Sequence, residues 1–176
     1  MTKKSKTQML AEAGIMIALS QLLSYFKLFT MPQGGSVTPG STVPIILFAL
    51  IWGGKYGLIA SFTYGLLQFI LGGGISIHPL SIVLDYFLAF GLLGVAGFFN
   101  KNLKTSLFGT TIAMFLRFLC SFLSGWIVFG SYAPEGQAPW LYSLIYNATY
   151  MIPELIITLI LVALLYNPLK KALKFK

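Results

Sequence analysis

The sequence predicts an all-α integral membrane protein in which six transmembrane helices form one bundle with both termini cytoplasmic. Three observations carry this. Of 176 residues, 57% are hydrophobic and only 9% charged, against about a quarter charged in an ordinary globular domain, which excludes a soluble enzyme. The apolar residues are gathered in runs, and the charges stand at the ends of those runs. At about 1.5 Å of rise per residue and about 30 Å of hydrocarbon, six spans take roughly 120 residues, so residues 1–176 are expected to be a single transmembrane domain. Twelve Lys and Arg against four Asp and Glu give a formal net charge of +8. Their segregation to segment ends points to a lipid bilayer and not to nucleic acid.

Taken in order, the first run is Met9 to Phe29, preceded by Lys3, Lys4 and Lys6. It has the basic start of a signal peptide but exceeds a typical signal core and lacks a convincing small-x-small cleavage site, so it reads as a retained first span. Val43 to Trp52 and Tyr56 to Leu71 are short. The former covers only about 15 Å as a helix, so either loop residues extend it or the pair forms a re-entrant hairpin around Gly53-Gly54-Lys55. Pro79 to Phe99, Ser106 to Phe129 and Leu141 to Tyr166 complete the set. Six spans place Lys3, Lys4, Lys6, Lys55, Lys101, Lys104, Lys170, Lys171, Lys174 and Lys176 on one side and leave Lys27 near the other. By the positive-inside rule the lysine-rich side is the cytoplasm. Moving one span puts Lys55 or the Lys101/Lys104 pair on the wrong side, which favours six spans over four plus a hairpin.

Three connections then fall on the outer side: Thr30 to Thr42, Gly72 to His78 and Gly130 to Trp140. All carry Gly and Pro, and their common side predicts a ligand site open outward, although any one of them alone is equally a plain membrane turn. Cys120 is the single cysteine and lies in an apolar run, so no disulfide framework or cysteine metal cluster can be built. His78 beside Pro79 reads as the start of a helix and not as a metal ligand; no metal and no cofactor is expected. There is no phosphate-binding loop, no H-E-x-x-H and no G-x-S-x-G. A protein of this kind cannot drive uphill uptake with ATP by itself; it needs a partner or an ion gradient. No internal repeat supports an inverted-repeat transporter.

Ionisable residues inside hydrocarbon cost roughly 2.5 to 3.5 kcal/mol each on insertion scales and call for a function or a partner. Asp85, Arg117 and Glu154 qualify. Asp85, about 10 Å deep, is a candidate counter-ion for a cationic ligand, or else a partner of Arg117 or Tyr86. Arg117 reads as half of an internal pair with Asp85 or Glu154, or as a contact to an anionic group such as a phosphate. In the last span Ser143, Asn147, Tyr150 and Glu154 return to within about 20° of one helix face, a polar stripe bordered by Tyr142 and Tyr146 and expected to face the bundle interior. Trp140 fits the interfacial aromatic belt. Aromatic faces around a buried carboxylate suit a flat, positively charged heteroaromatic. Two small-residue surfaces, Ala11, Gly14 and Ala18 in the first span and Gly91, Gly94 and Gly97 in the fourth, allow close helix approach.

Several runs carry a resemblance. Pro32-Gln33-Gly34-Gly35-Ser36-Val37, His78-Pro79 with Leu84-Asp85-Tyr86 and Ala89-Phe90, Tyr132-Ala133-Pro134-Glu135-Gly136, Pro139-Trp140, and Tyr142-Ser143-Leu144-Ile145-Tyr146-Asn147 appear in this order. Together they resemble the thiamine-specific substrate-binding subunits of energy-coupling-factor (ECF) transporters, the ThiT/YuaJ family, over nearly the whole chain. The resemblance implies a six-helix plasma-membrane protein that captures thiamine or a related vitamin and docks on one transmembrane coupling protein and two ATPase subunits. It implies that Asp85 faces the thiazolium beside Tyr86, that Tyr142 and Asn147 line the site, and that Ala11, Gly14 and Ala18 serve docking. Two positions depart from the family pattern. A histidine four residues after the arginine of the fifth span is Ser121 here, and a tryptophan near the end of that span is Phe129. Both are carried as binding residues, Ser121 through its hydroxyl and Phe129 through its ring.

Two rival readings remain. One is a solitary proton-coupled carrier in which Asp85 and Glu154 relay protons. The other is a small membrane enzyme using Asp85, Arg117 and Ser121 on a lipid phosphate, for which Ser121 has no evident base.

Overall fold

In a computed structural model that describes residues 5–72 and 78–172, helices occupy all six predicted apolar runs. Lys3, Lys4, Lys174 and Lys176, and Gly73 and Gly74 of the second connection, lie outside the described residues. Helix α1, Lys6–Tyr25, begins at Ser5, whose hydroxyl accepts the Gln8 amide at 3.1 Å. A short antiparallel pair follows, β1 (Phe29–Thr30) with β2 (Ser36–Val37), closed by Gly34 and Gly35 at φ 91° and 84°. Helix α2, Val43–Trp52, is apolar all round, and its first eight residues are buried, as a helix with no polar face must be. Gly53, at φ 86°, is the single residue between it and α3, Gly54–Leu71.

Helix α4, Pro79–Phe99, changes its winding along its length. Ile82–Leu88 is π-helical and Leu92–Phe99 is 3₁₀, so Asp85 and Tyr86 stand in the widest-wound stretch, a feature frequent at functional sites. Helix α5, Leu103–Ile127, starts three residues before the expected Ser106, because Asn102 and Thr105 close a reciprocal capping box. A 3₁₀ turn at Gly130–Tyr132 leads to α6, Pro139–Ala172, which runs past the expected end at Tyr166 and through Pro168. Helices α4, α5 and α6 have the length and hydropathy of membrane spans, whereas α2 is apolar but only ten residues long.

Helix α2 forms the core around which α1, α3, α4 and α6 pack, and α5 fits between α4 and α6. The glycines of α4 make this close. A Cβ on Gly94 would strike the backbone of Gly57 and Leu58, and one on Gly97 the Ala49 carbonyl, so this stripe serves packing within the bundle. The polarity is inverted relative to a soluble protein. On α6, Ser143, Asn147, Tyr150, Glu154 and Thr158 are buried, while Ile145, Ile152, Ile156, Ile160 and Leu164 are exposed.

The connection between α1 and α2 departs from the expectation of an outer-surface loop. Val37, Thr38, Ser41 and Thr42 are buried inside the bundle. Such a descent requires partners for the backbone, and Glu154 supplies them: its carboxylate accepts the Thr38 amide at 2.7 Å and the Thr38 hydroxyl at 2.8 Å.

Candidate functional site

A cavity of about 370 Å³ lies among α3, α4, α5, α6 and the α1–α2 connection, in the size range of small-molecule sites. Asp85 stands in its α4 wall. Its Oδ2 accepts the Ser81 hydroxyl, one helical turn earlier, at 2.9 Å, and the Ser124 hydroxyl from α5. These bonds orient the carboxylate and join α4 to α5. Tyr86 packs edge-on against Phe69, with ring centroids 5.4 Å apart.

The facing wall comes from α6 and the hairpin. Tyr142 donates to Gln33 Oε1 at 3.3 Å, and Tyr146 accepts the Gln33 amide and donates to the Gly34 carbonyl, both at 2.8 Å. Gly35 lies directly against Tyr150, where a Cβ would come within 2.6 Å of the ring. Asn147 is held at both ends of its amide. Its Nδ2 donates to the Ser143 carbonyl at 2.9 Å and reaches the Ser121 carbonyl at 3.4 Å, and its Oδ1 accepts the Tyr150 hydroxyl at 2.7 Å. Helices α5 and α6 can approach this closely because Gly125 has no side chain; a Cβ there would collide with Ser143 Oγ.

Deeper in the cavity sits Arg117, with its guanidinium carbon 4.7 Å from the centre of the Phe90 ring. Among the described residues its Nε and Nη1 are buried without a hydrogen-bonding partner. The expected internal pair with Asp85 or Glu154 does not form, because serines hold the first carboxylate and Thr38 holds the second. On the α1 side Gln68 Nε2 is within 2.9 Å of Gln21 Oε1 and Ser24 Oγ and 3.1 Å of the Tyr64 hydroxyl.

All six residues expected to bind ligand, Asp85, Tyr86, Ser121, Phe129, Tyr142 and Asn147, line this one cavity. Ala11, Gly14 and Ala18 stand apart from it on the exposed face of α1, with nothing within 4 Å of a Cβ built on Gly14. Sequence reasoning missed Ser81, Ser124, Gln33, Thr38, Tyr64 and Gln68. Only Ser81 carried a signal, its four-residue spacing from Asp85 on a helix. None of the three tryptophans lines the cavity: Trp52 donates to Glu12 at 2.7 Å, and Trp126 and Trp140 are exposed.

Fold and cavity together define the class: a multi-pass helical membrane protein enclosing a polar, aromatic-walled chamber of small-molecule size. Within that class, the family described as thiamine transporter protein (YuaJ) matches residues 10–174, and the chain belongs to it. It is 35% identical over 189 residues to the thiamine transporter ThiT of Bacillus subtilis strain 168, covering 99% of this chain and 98% of that protein. It is 29% identical over 181 residues to ThiT of Lacticaseibacillus paracasei, covering 94% and 90%. Two solved structures share the fold. ThiT from Listeria monocytogenes superposes with a TM-score of 0.81 at 22% identity, over 96% of this chain and 98% of that one. The S component of a bacterial ECF transporter superposes at 0.68 with 21% identity, over 97% and 99%. The family and the apolar helices make this a multi-pass plasma-membrane protein of transport, not an enzyme.

Proposed function

We propose that the chain captures thiamine as the substrate-binding subunit of an ECF-type uptake transporter, a six-span bundle with its termini in the cytoplasm and its cavity open to the outside. The observation that supports this reading is the convergence on one cavity of Asp85, expected from its cost in an apolar span, with Tyr86, Ser121, Phe129, Tyr142 and Asn147, expected from the family resemblance. The cavity is lined by two carboxylates, Asp85 and Glu154, and two cationic side chains, Arg117 and Lys27; Glu154 is bonded to Thr38 and Asp85 to serine hydroxyls, which leaves the Asp85 charge to face a cationic ring. Asp85 is the counter-ion of the thiazolium. Tyr86, Phe129 and Tyr142 provide aromatic faces, each worth about 0.5 to 2 kcal/mol against a cation. Ser121 and Asn147 provide hydrogen bonds, and Arg117 meets acceptor atoms at the inner end of the ligand.

Release into the cell requires a coupling protein and two ATPase subunits, with Ala11, Gly14 and Ala18 on the exposed face of α1 as the docking surface. A proton relay through Glu154 has less support, because both its oxygens are bonded to Thr38. The test is calorimetric titration of the purified protein with thiamine, riboflavin and biotin, followed by uptake into vesicles. Saturable binding of thiamine alone supports the reading. Equal or absent binding of all three overturns it, and accumulation driven by a pH gradient without partners moves the protein to the carrier class.

A further inference from the structure

At the end of the bundle opposite the hairpin, a small crevice of about 50 Å³ runs between α2 and α6. Leu47, Leu50 and Ile51 form one wall, and Tyr166 and Leu169 the other. Lys170 closes the rim, its stem half-buried and its Nζ 5.5 Å from the centre of the Tyr166 ring. Tyr166 is fixed in turn, buried and donating to the Asn100 carbonyl at 3.3 Å. That bond brings the segment carrying Lys101 beside the α6 turn carrying Lys170 and Lys171. The sequence has four acidic residues, and none belongs to the segments that form the crevice. Glu12 is on α1 and engaged by Trp52 and Gln8, Asp85 and Glu154 line the ligand cavity, and Glu135 is in the connection before α6.

An apolar slot rimmed by positive charge and lacking a carboxylate has the chemistry of a lipid whose headgroup is a net anion. Hydrocarbon suits the leucine walls, and a phosphate suits the lysines. A zwitterionic headgroup would bring its ammonium group against the same lysines, and free phosphate would leave the slot unused. We propose that this crevice binds an anionic phospholipid, with an acyl chain across its mouth on the half-buried Ile51 and Leu169 and the headgroup phosphate on Lys170 and Lys101. Lipid held there braces the far end of α6 against α2, the helix at the centre of the core.

The test places the protein in nanodiscs of phosphatidylcholine alone or with one part in three phosphatidylglycerol. Phosphatidylglycerol should raise the unfolding midpoint by about 5 °C, the shift expected of a ligand well above its dissociation constant. Lys101→Gln with Lys170→Gln should remove most of that rise, and the paired Lys→Arg variants should keep it, with thiamine affinity unchanged in both. Equal midpoints in the two lipids, or a full rise in the glutamine variant, overturns the proposal. Should the glutamine variant fail to fold, native mass spectrometry of the wild-type protein from mixed discs decides. Retention of phosphatidylglycerol above its share in the disc supports the site, and retention in proportion to that share overturns it.

Discussion

Replacing Asp85 by Asn tests the electrostatic core of the proposed function with little change of shape. The amide keeps an oxygen for Ser81 or Ser124, so the join between α4 and α5 survives while the charge is lost. A carboxylate and a ring cation about 4 Å apart interact by about 4 kcal/mol at an effective dielectric of about 20, which corresponds to roughly a thousandfold in affinity. Asp85→Asn should therefore weaken thiamine about a thousandfold. A neutral isostere with carbon in place of the quaternary ring nitrogen should be weakened less than about threefold, because it never used the charge. The assay is calorimetric titration of both ligands against both proteins, with unfolding midpoints as the control for folding. The informative quantity is the preference for the cation over its isostere, which should be large in the wild type and close to one in the variant. If both ligands lose the same factor, Asp85 is not the counter-ion.

Three further outcomes follow from the packing. Gly35→Ala combines a left-handed residue with a Cβ only 2.6 Å from Tyr150, a strain of about 1 to 2 kcal/mol before any shift of the ring; thiamine should dissociate at least about tenfold faster in stopped-flow chase, and an unchanged rate would clear the hairpin of any part in retention. Thr38→Val removes one of the two donors on Glu154 and should lower stability by about 1 to 3 kcal/mol, read as a lower unfolding midpoint in detergent. Gly14→Leu with Ala18→Leu should spare thiamine binding and abolish co-purification with the coupling module, because that face of α1 is open. Gly94→Leu should instead prevent folding, because its Cβ meets the backbone of α3. Normal folding of the Gly94 variant would refute the packing assigned to α4.

What was legible in the sequence was whatever broke a strong pattern. Asp85 stood out because a carboxylate in an apolar run is costly, and the α6 stripe because four polar residues kept helical spacing. Hydroxyl residues broke no pattern. Thr110 and Thr149 satisfy themselves on carbonyls four residues back, at 2.8 Å each, so a serine or threonine in a membrane helix need not signal a distant partner. Ser124 looks the same in the sequence, yet it holds the carboxylate together with Ser81, whose four-residue spacing from Asp85 was the one hint. Arg117 illustrates the converse. Pairing it with a carboxylate was the economical reading, but the descent of Thr38 into the bundle claimed Glu154 first, and no local signal announces a loop that turns inward. The two glycine-and-alanine stripes were indistinguishable by spacing; only the assembled bundle shows that one is covered and the other open.

The placement of the aromatic residues decides how binding can be seen. Seven of the nine tyrosines line the chamber while the three tryptophans stand outside it, so the brightest natural fluorophores lie away from the site, and thiamine bound among the tyrosines would pass nearly unnoticed in a conventional emission scan. A flat response from the native protein would therefore say little about affinity. Phe129→Trp installs an indole in the chamber wall, and with Trp126 and Trp140 changed to Phe it would turn the site into its own optical sensor.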